Sequence, residues 1–185
     1  MESALLGIRN SRMSLGEVYY WTDTIKDWKH LLKQDKYKSI IIEQLKWLKD
    51  RNKVSIYAFV IMPNHLHMVW EMLALNGKEM PHASFNKWTS SQFLADLREH
   101  HPNVLPYFVE ESSERKHRFW QRDALAVHMN ARWKVEQKIE YIHSNPLQAH
   151  WNLAAFPEEY LWSSAEFYQT GIDRFGFLTH YMERF

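Results

Sequence analysis

With 185 residues, 45% of them hydrophobic and 24% charged, the chain has the material for one globular domain that needs no staple or partner to complete its core. It contains no cysteine, which excludes a disulfide framework and a zinc ribbon, so any metal would be held by histidine, carboxylate, amide or water. A net charge of +1 with histidine neutral identifies no strongly charged partner, and local clusters carry the information instead.

No run approaches ~18 uninterrupted apolar residues. The opening MESALLGIRNSRM lacks a basic start followed by a long apolar stretch, and five Gly and six Pro make no linker. One cytoplasmic domain over residues 1–185 with no membrane partner is expected, residues 1–15 reading as an extension to it. The nine Trp, nine Tyr and ten Phe can stack bases or fill a core.

VYYWTDTI (18–25), aromatic and β-branched, predicts a first strand. Ile41, Leu45 and Leu48 recur at i, i+4 and i+7, so the stretch from Asp35 to about Arg51 predicts an amphipathic helix. VSIYAFVIM (54–62) is a second strand whose nearly continuous apolar character suggests a central place in the sheet. Pro63 and Asn64 turn the chain into HLHMVWEM (65–72), a third strand antiparallel to the second. After a loop with Asn-Gly and a proline, Ser84 is expected to cap a helix, SFNKWTSSQFLADLREHH. HRFWQRDAL (117–125) is a candidate fourth strand. ARWKVEQKIEYIHSN (131–145) is a further helix, stopped by Pro146, which disfavours helical geometry in the residue before it. PEEYLWSSAEFY reads as a packing tail. The order predicts an α+β domain with one antiparallel sheet and helices on one side, a ferredoxin-like plan.

Side chains alternate along a strand, so residues two apart share a face at roughly 6.5 to 7 Å backbone spacing. On strand 65–72, Leu66, Met68, Trp70 and Met72 belong against helices. His65, His67, Val69 and Glu71 point to the side that the core does not need. Two imidazoles at i, i+2 on a rigid strand can converge on one metal ion through neutral ring nitrogens, although a solvated sheet face is the plainer reading of a lone His-x-His.

Helix 131–145 carries a core stripe of Val135, Ile139 and Ile142. At about 100° per residue, Tyr141 and Asn145 stack one turn apart beside that stripe and can face the open side of the sheet. Asn145 can offer an amide oxygen to a hard cation, or simply stop the helix before Pro146. Tyr141 can offer a phenolic oxygen as nucleophile, or pack as an ordinary aromatic. His143 lies on the other side of the stripe and is expected to be structural.

AFVIMPNHLHMVWEM, FWQRDALAVH, EYIHSNPLQAHW and PEEYLWSSAEFY, in this order, resemble the REP-associated tyrosine transposases within the single-tyrosine HUH (IS200-like) transposases, from about Val18 to Tyr168. The resemblance implies the HUH endonuclease fold, with His65 and His67 as ligands of a divalent cation, Asn145 completing the site, and Tyr141 as the catalytic nucleophile on single-stranded DNA. It implies a 5′-phosphotyrosine link, a free 3′-hydroxyl, and strand transfer when another 3′-hydroxyl reverses the step. The cation would be Mg2+ or Mn2+, with imidazole favouring Mn2+. The partner would be single-stranded, hairpin-forming DNA, with the tyrosine acting within its own chain or across a homodimer.

Arg115, Lys116, Arg118 and Arg122 around Phe119 and Trp120 form a basic patch interleaved with aromatics that could follow a DNA backbone and stack an unpaired base; a solvated loop is the alternative. Lys87 and Trp88 repeat the signal weakly. Two rival functions stay open: a module that binds DNA hairpins without cutting, and a metal-dependent hydrolase whose nucleophile is water.

Overall fold

A computed structural model describes residues 12–110, 116–122 and 124–185. Four strands, β1 (Val18–Thr24), β2 (Val54–Ile61), β3 (His65–Met72) and β4 (Leu125–His128), form one antiparallel sheet in the order β2-β3-β1-β4. The strand that precedes α1 (Asp35–Asp50) and the strand that follows it are thus separated by β3, the split arrangement of a ferredoxin-like plan. The expected α+β class is observed.

The first core lies on the face carrying Leu66, Met68, Trp70 and Met72. Against it pack Ile41, Leu45 and Leu48 of α1 and Phe85, Phe93 and Leu97 of α2 (Pro81–His100). The periodicity of α1 therefore does what its spacing demands. Helix α2 begins three residues before Ser84. Pro81, whose missing N–H costs nothing in the first turn, opens it, and the Ser84 hydroxyl donates back to the Pro81 carbonyl at 3.0 Å instead of capping.

The expectation of helices on one side holds for α1 and α2 only. Helix α3 (Arg132–Ser144) crosses the opposite face, where Val135, Ile139 and Ile142 bury against Val18, Tyr20, Val60 and Val69 in a second core. The stripe on α3 is the one the sequence predicts. What the stripe could not tell is which face of the sheet it covers.

Strand β2 lies at the sheet edge, not in the centre. Its continuous apolar character has another cause: a bulge between Ile56 and Ala58 turns Tyr57 onto the second core, and both faces of the strand are covered. Its outer edge is closed by the C-terminal tail. Ile61 N–H donates to the Trp162 carbonyl at 2.9 Å, Ser164 N–H to Phe59 at 3.0 Å, and Thr179 N–H to Ile56 at 2.9 Å. The tail packs, as expected. Strand β4 starts only at Leu125, the last residue of the expected 117–125; among the described residues before it, Trp120 bridges Ile25 just past the end of β1 and Phe119 packs in the first core.

Candidate functional site

Registry along β1 and β3 decides what surrounds the histidines. His67 stands opposite Thr22 and His65 opposite Thr24, so Thr22, and Tyr20 two residues before it, share the imidazole face. Because α3 and the second core cover this face, His65 is only 7% exposed and His67 6%, rather than open to solvent.

Each ring is held by its Nδ1. His65 Nδ1 lies 2.6 Å from Asn64 Oδ1, and the Asn64 amide is oriented by its own Nδ2, which donates to the Trp28 carbonyl at 3.2 Å. That assigns the proton of His65 to Nδ1 and leaves Nε2 with its lone pair. His67 Nδ1 lies 2.7 Å from Thr22 Oγ1 and 2.9 Å from the Tyr20 hydroxyl. Both hydroxyls can accept from an Nδ1–H, the tautomer that likewise frees Nε2. The two ring centroids are 4.7 Å apart.

Burial pushes His65 down to about 4, opposed by the Asn145 side chain and reinforced by His150. Burial, then the charges of His65 and Lys138, push His67 well below the usual imidazole range. Both rings are neutral near pH 7, the form that ligates a metal.

Helix α3 delivers the other two groups. Tyr141 is 41% exposed, and its ring centroid is 5.4 Å from that of His67 and 6.4 Å from that of Tyr20. Asn145 follows one turn later and is 2% exposed. It keeps helical dihedrals, φ −57° and ψ −46°, although Pro146 disfavours them, and so stays on the Tyr141 row. Its buried Oδ1 makes no well-formed hydrogen bond, and the side chain's one neighbouring polar group is His65, whose charged form it favours. A buried acceptor left in this way costs about 1–3 kcal/mol, and a cation would satisfy it.

Two neutral imidazoles and an amide oxygen make a mixed donor set that could take a first-row divalent ion, the imidazoles suiting a transition metal and the amide oxygen suiting Mn2+ or Mg2+. Among the described residues no group of three or more His, Cys, Asp or Glu could hold a metal ion, so an ion here would depend on the amide.

Several neighbours were not anticipated. Lys138 places its Nζ 4.6 Å from the Tyr20 ring centroid and 5.6 Å from that of Tyr141. Its position three residues before Tyr141 was a readable signal. Tyr20, Thr22 and Asn64 were not readable without the sheet register. His143 is structural, as expected: its Nε2 lies 2.8 Å from Ser164 Oγ, and burial lowers its pKa to about 4.

The basic segment divides. Arg118 and Arg122 both pair with Glu110 at 2.9 Å, and together with Lys116 they line an open groove that Lys87 and Arg98 of α2 border from the other side. Trp120 does not belong with them. It is 4% exposed, lies between Phe85 and Phe93, and donates its indole N–H to Thr89 Oγ1 at 3.0 Å, so its ring cannot stack a base. Arg115 lies outside the described residues.

The arrangement is that of an α+β domain with a histidine pair in the sheet and a tyrosine–asparagine row on the helix covering it. No family model matches the sequence, and no curated protein matches it. Among solved structures the chain is similar to a REP-associated tyrosine transposase bound to a REP hairpin, with a TM-score of 0.61 over 93% of this chain and 92% of that one. At 15% identity the likeness is one of fold. Among the described residues no helix is long and apolar enough to cross a membrane.

Proposed function

We propose that this protein is a metal-assisted tyrosine transposase that cuts and rejoins single-stranded DNA. The observation that carries this reading is the convergence of His65, His67, Tyr141 and Asn145, from two elements about seventy residues apart, around a buried acceptor without a well-formed hydrogen bond. The shared fold with a hairpin-bound transposase supports it.

In this reading the Tyr141 oxygen attacks the phosphorus of a DNA phosphodiester. The new bond is Oη–P, and the bond that breaks is P–O3′. The phenol proton leaves to solvent, and the departing 3′-oxygen takes one up, giving a 5′-phosphotyrosine and a free 3′-hydroxyl. The bond energy is kept in the phosphotyrosine, so a second 3′-hydroxyl can reverse the step and join strands. His65 and His67, neutral and fixed through Nδ1, and Asn145 Oδ1 would hold Mg2+ or Mn2+. A cation there supplies offsetting charge to the non-bridging oxygens as negative charge builds on them. Lys138, close to the Tyr141 ring, adds a second positive charge near the phosphate. Lys116, Arg118 and Arg122 would follow the backbone of the bound strand, with hairpin-forming DNA as the substrate class.

The test is incubation of a labelled single-stranded hairpin with Mn2+ followed by a denaturing gel. A covalent protein–DNA band that disappears in Tyr141→Phe and on chelation is expected. Cleavage that persists in Tyr141→Phe without a covalent band would move the reading to hydrolysis by water.

A further inference from the structure

Between β1 and α1 the chain makes a turn in which two consecutive residues, Asp27 and Trp28, take left-handed backbone conformations, with φ of 55° and 57°. The other non-glycine residues with positive φ among those described are Asn52 and Asn152, a residue type that tolerates it. A bulky aromatic does not. Core packing does not explain its presence either, because Trp28 is 55% exposed.

The turn is nevertheless fixed. Trp28 N–H donates to the Ile25 carbonyl at 2.9 Å, Lys26 N–H to the Phe119 carbonyl at 2.7 Å, and the Trp28 carbonyl accepts from Asn64 Nδ2 at 3.2 Å. The same Asn64 amide holds His65 Nδ1 through its oxygen at 2.6 Å. One asparagine therefore ties the strained turn to the imidazole, and it sets the indole beside the site with its centroid 6.3 Å from that of His65. Trp151, 5.9 Å from His65, approaches the same ring. A strained residue held in place next to reactive groups, with its apolar surface left in solvent, is an unfilled contact for a flat ligand.

We propose that Trp28 is a base-stacking residue of this site: its indole receives an unpaired base of single-stranded DNA and thereby positions the neighbouring phosphate near His65 and Tyr141. The inference rests on the proposed function and deepens it by naming what holds the strand at the reacting end. A stacking contact is tolerant of base identity, because every base has a π-face. It requires only that a base be present.

That requirement gives the experiment. Affinity of the full chain is measured by fluorescence anisotropy for labelled dT12 and for a 12-residue strand of abasic sites with the same backbone. Trp28→Ala is expected to weaken binding of dT12 by roughly 5- to 100-fold and to leave the abasic strand within about twofold, while Trp28→Phe keeps most of the affinity for dT12. Trp28→Gly, which relieves the backbone conformation but lacks the ring, should match Trp28→Ala. An equal loss on both strands would mean a structural or charge effect and would overturn the proposal, as would no loss on dT12. Binding does not depend on cleavage, so the two readings separate: absence of a Tyr141 adduct refutes the cleavage chemistry, and absence of a base-dependent loss refutes stacking at Trp28. A wild-type chain that does not bind dT12 refutes stacking of an unspecified base at Trp28 and leaves the cleavage reading to the hairpin assay.

Discussion

Replacing Asp23 by asparagine tests whether a buried carboxyl under the site strand sets the pH dependence of stability. Asp23 is buried on β1 opposite Leu66, where its Oδ1 accepts from Thr24 N–H at 2.8 Å and its Oδ2 from Asn86 Nδ2 at 2.7 Å. Burial pushes its carboxyl up from 3.8 to about 7, against the opposing effect of those two hydrogen bonds. Because the folded-state value lies above the unfolded one, the folded protein holds an extra proton in this interval. The associated stability is fully present below about pH 4 and is lost as pH rises through about 7. At ~1.36 kcal/mol per pH unit, the rise from 3.8 to about 7 corresponds to about 4 kcal/mol, an upper figure. Asparagine reproduces the shape of the protonated acid and removes the titration. A turn of the Asn86 amide would let its Oδ1, now buried without a partner, accept from the new amide. Urea unfolding of both proteins from pH 5 to pH 9 reads the outcome. The gap should widen in favour of Asp23→Asn by ~1.36 kcal/mol per pH unit from pH 5 to about pH 7, up to roughly 2.7 kcal/mol, and stay level from there to pH 9. A difference that does not change with pH, or a variant less stable at pH 9, would refute the assignment.

Asn145→Ala removes a buried acceptor with no well-formed hydrogen bond, so the metal-free variant should lose little stability, within ~1 kcal/mol, while losing at least ~10-fold in Mn2+ affinity, read as the thermal shift on titrating Mn2+. A lower metal-free melting temperature with the Mn2+ shift intact would place Asn145 in the scaffold alone. Trp120→Ala should cost about 3–5 kcal/mol in urea unfolding, as for any large core aromatic. A stable Trp120→Ala that binds DNA poorly would return Trp120 to the binding surface.

Much of the fold, and the faces on which the candidate site residues lie, was legible because both are written in local periodicity. Alternation placed His65 and His67 on the face opposite Leu66, Met68 and Trp70, and the 3.6-residue period placed Tyr141 and Asn145 on one row beside the α3 stripe. The misreadings share one cause. An apolar stripe or strand reports that a surface is buried, not what buries it. For β2 this made a two-sided burial look like a central position. For Trp120 it made a core indole flanked by surface arginines look like a nucleic-acid platform, since HRFWQR has the same composition in either case. Strand β4 is short and largely exposed, so it lacks the alternation by which a half-buried strand is recognised. The supporting residues, Tyr20, Thr22, Asn64 and Trp28, enter through strand registry and one strained turn, neither of which a single sequence displays.

The unexpected placement of α3 also changes the chemistry expected of the histidine pair. On an open sheet face the imidazoles would titrate near their ordinary value, and protons would compete with a cation at mildly acidic pH. Under α3 they are buried: desolvation drives His65 to about 4 and His67 well below its ordinary range, so both present lone pairs across the physiological range. The same helix supplies the tyrosine and the amide oxygen. Covering the face therefore does two things with one element, desolvating the imidazoles so that their charged form is disfavoured and bringing Tyr141 and Asn145 beside them. Asn145 marks where these demands meet: it holds helical geometry against Pro146 and leaves its own oxygen without a well-formed hydrogen bond, and both are understandable if that oxygen is reserved for a cation between it and the two imidazoles.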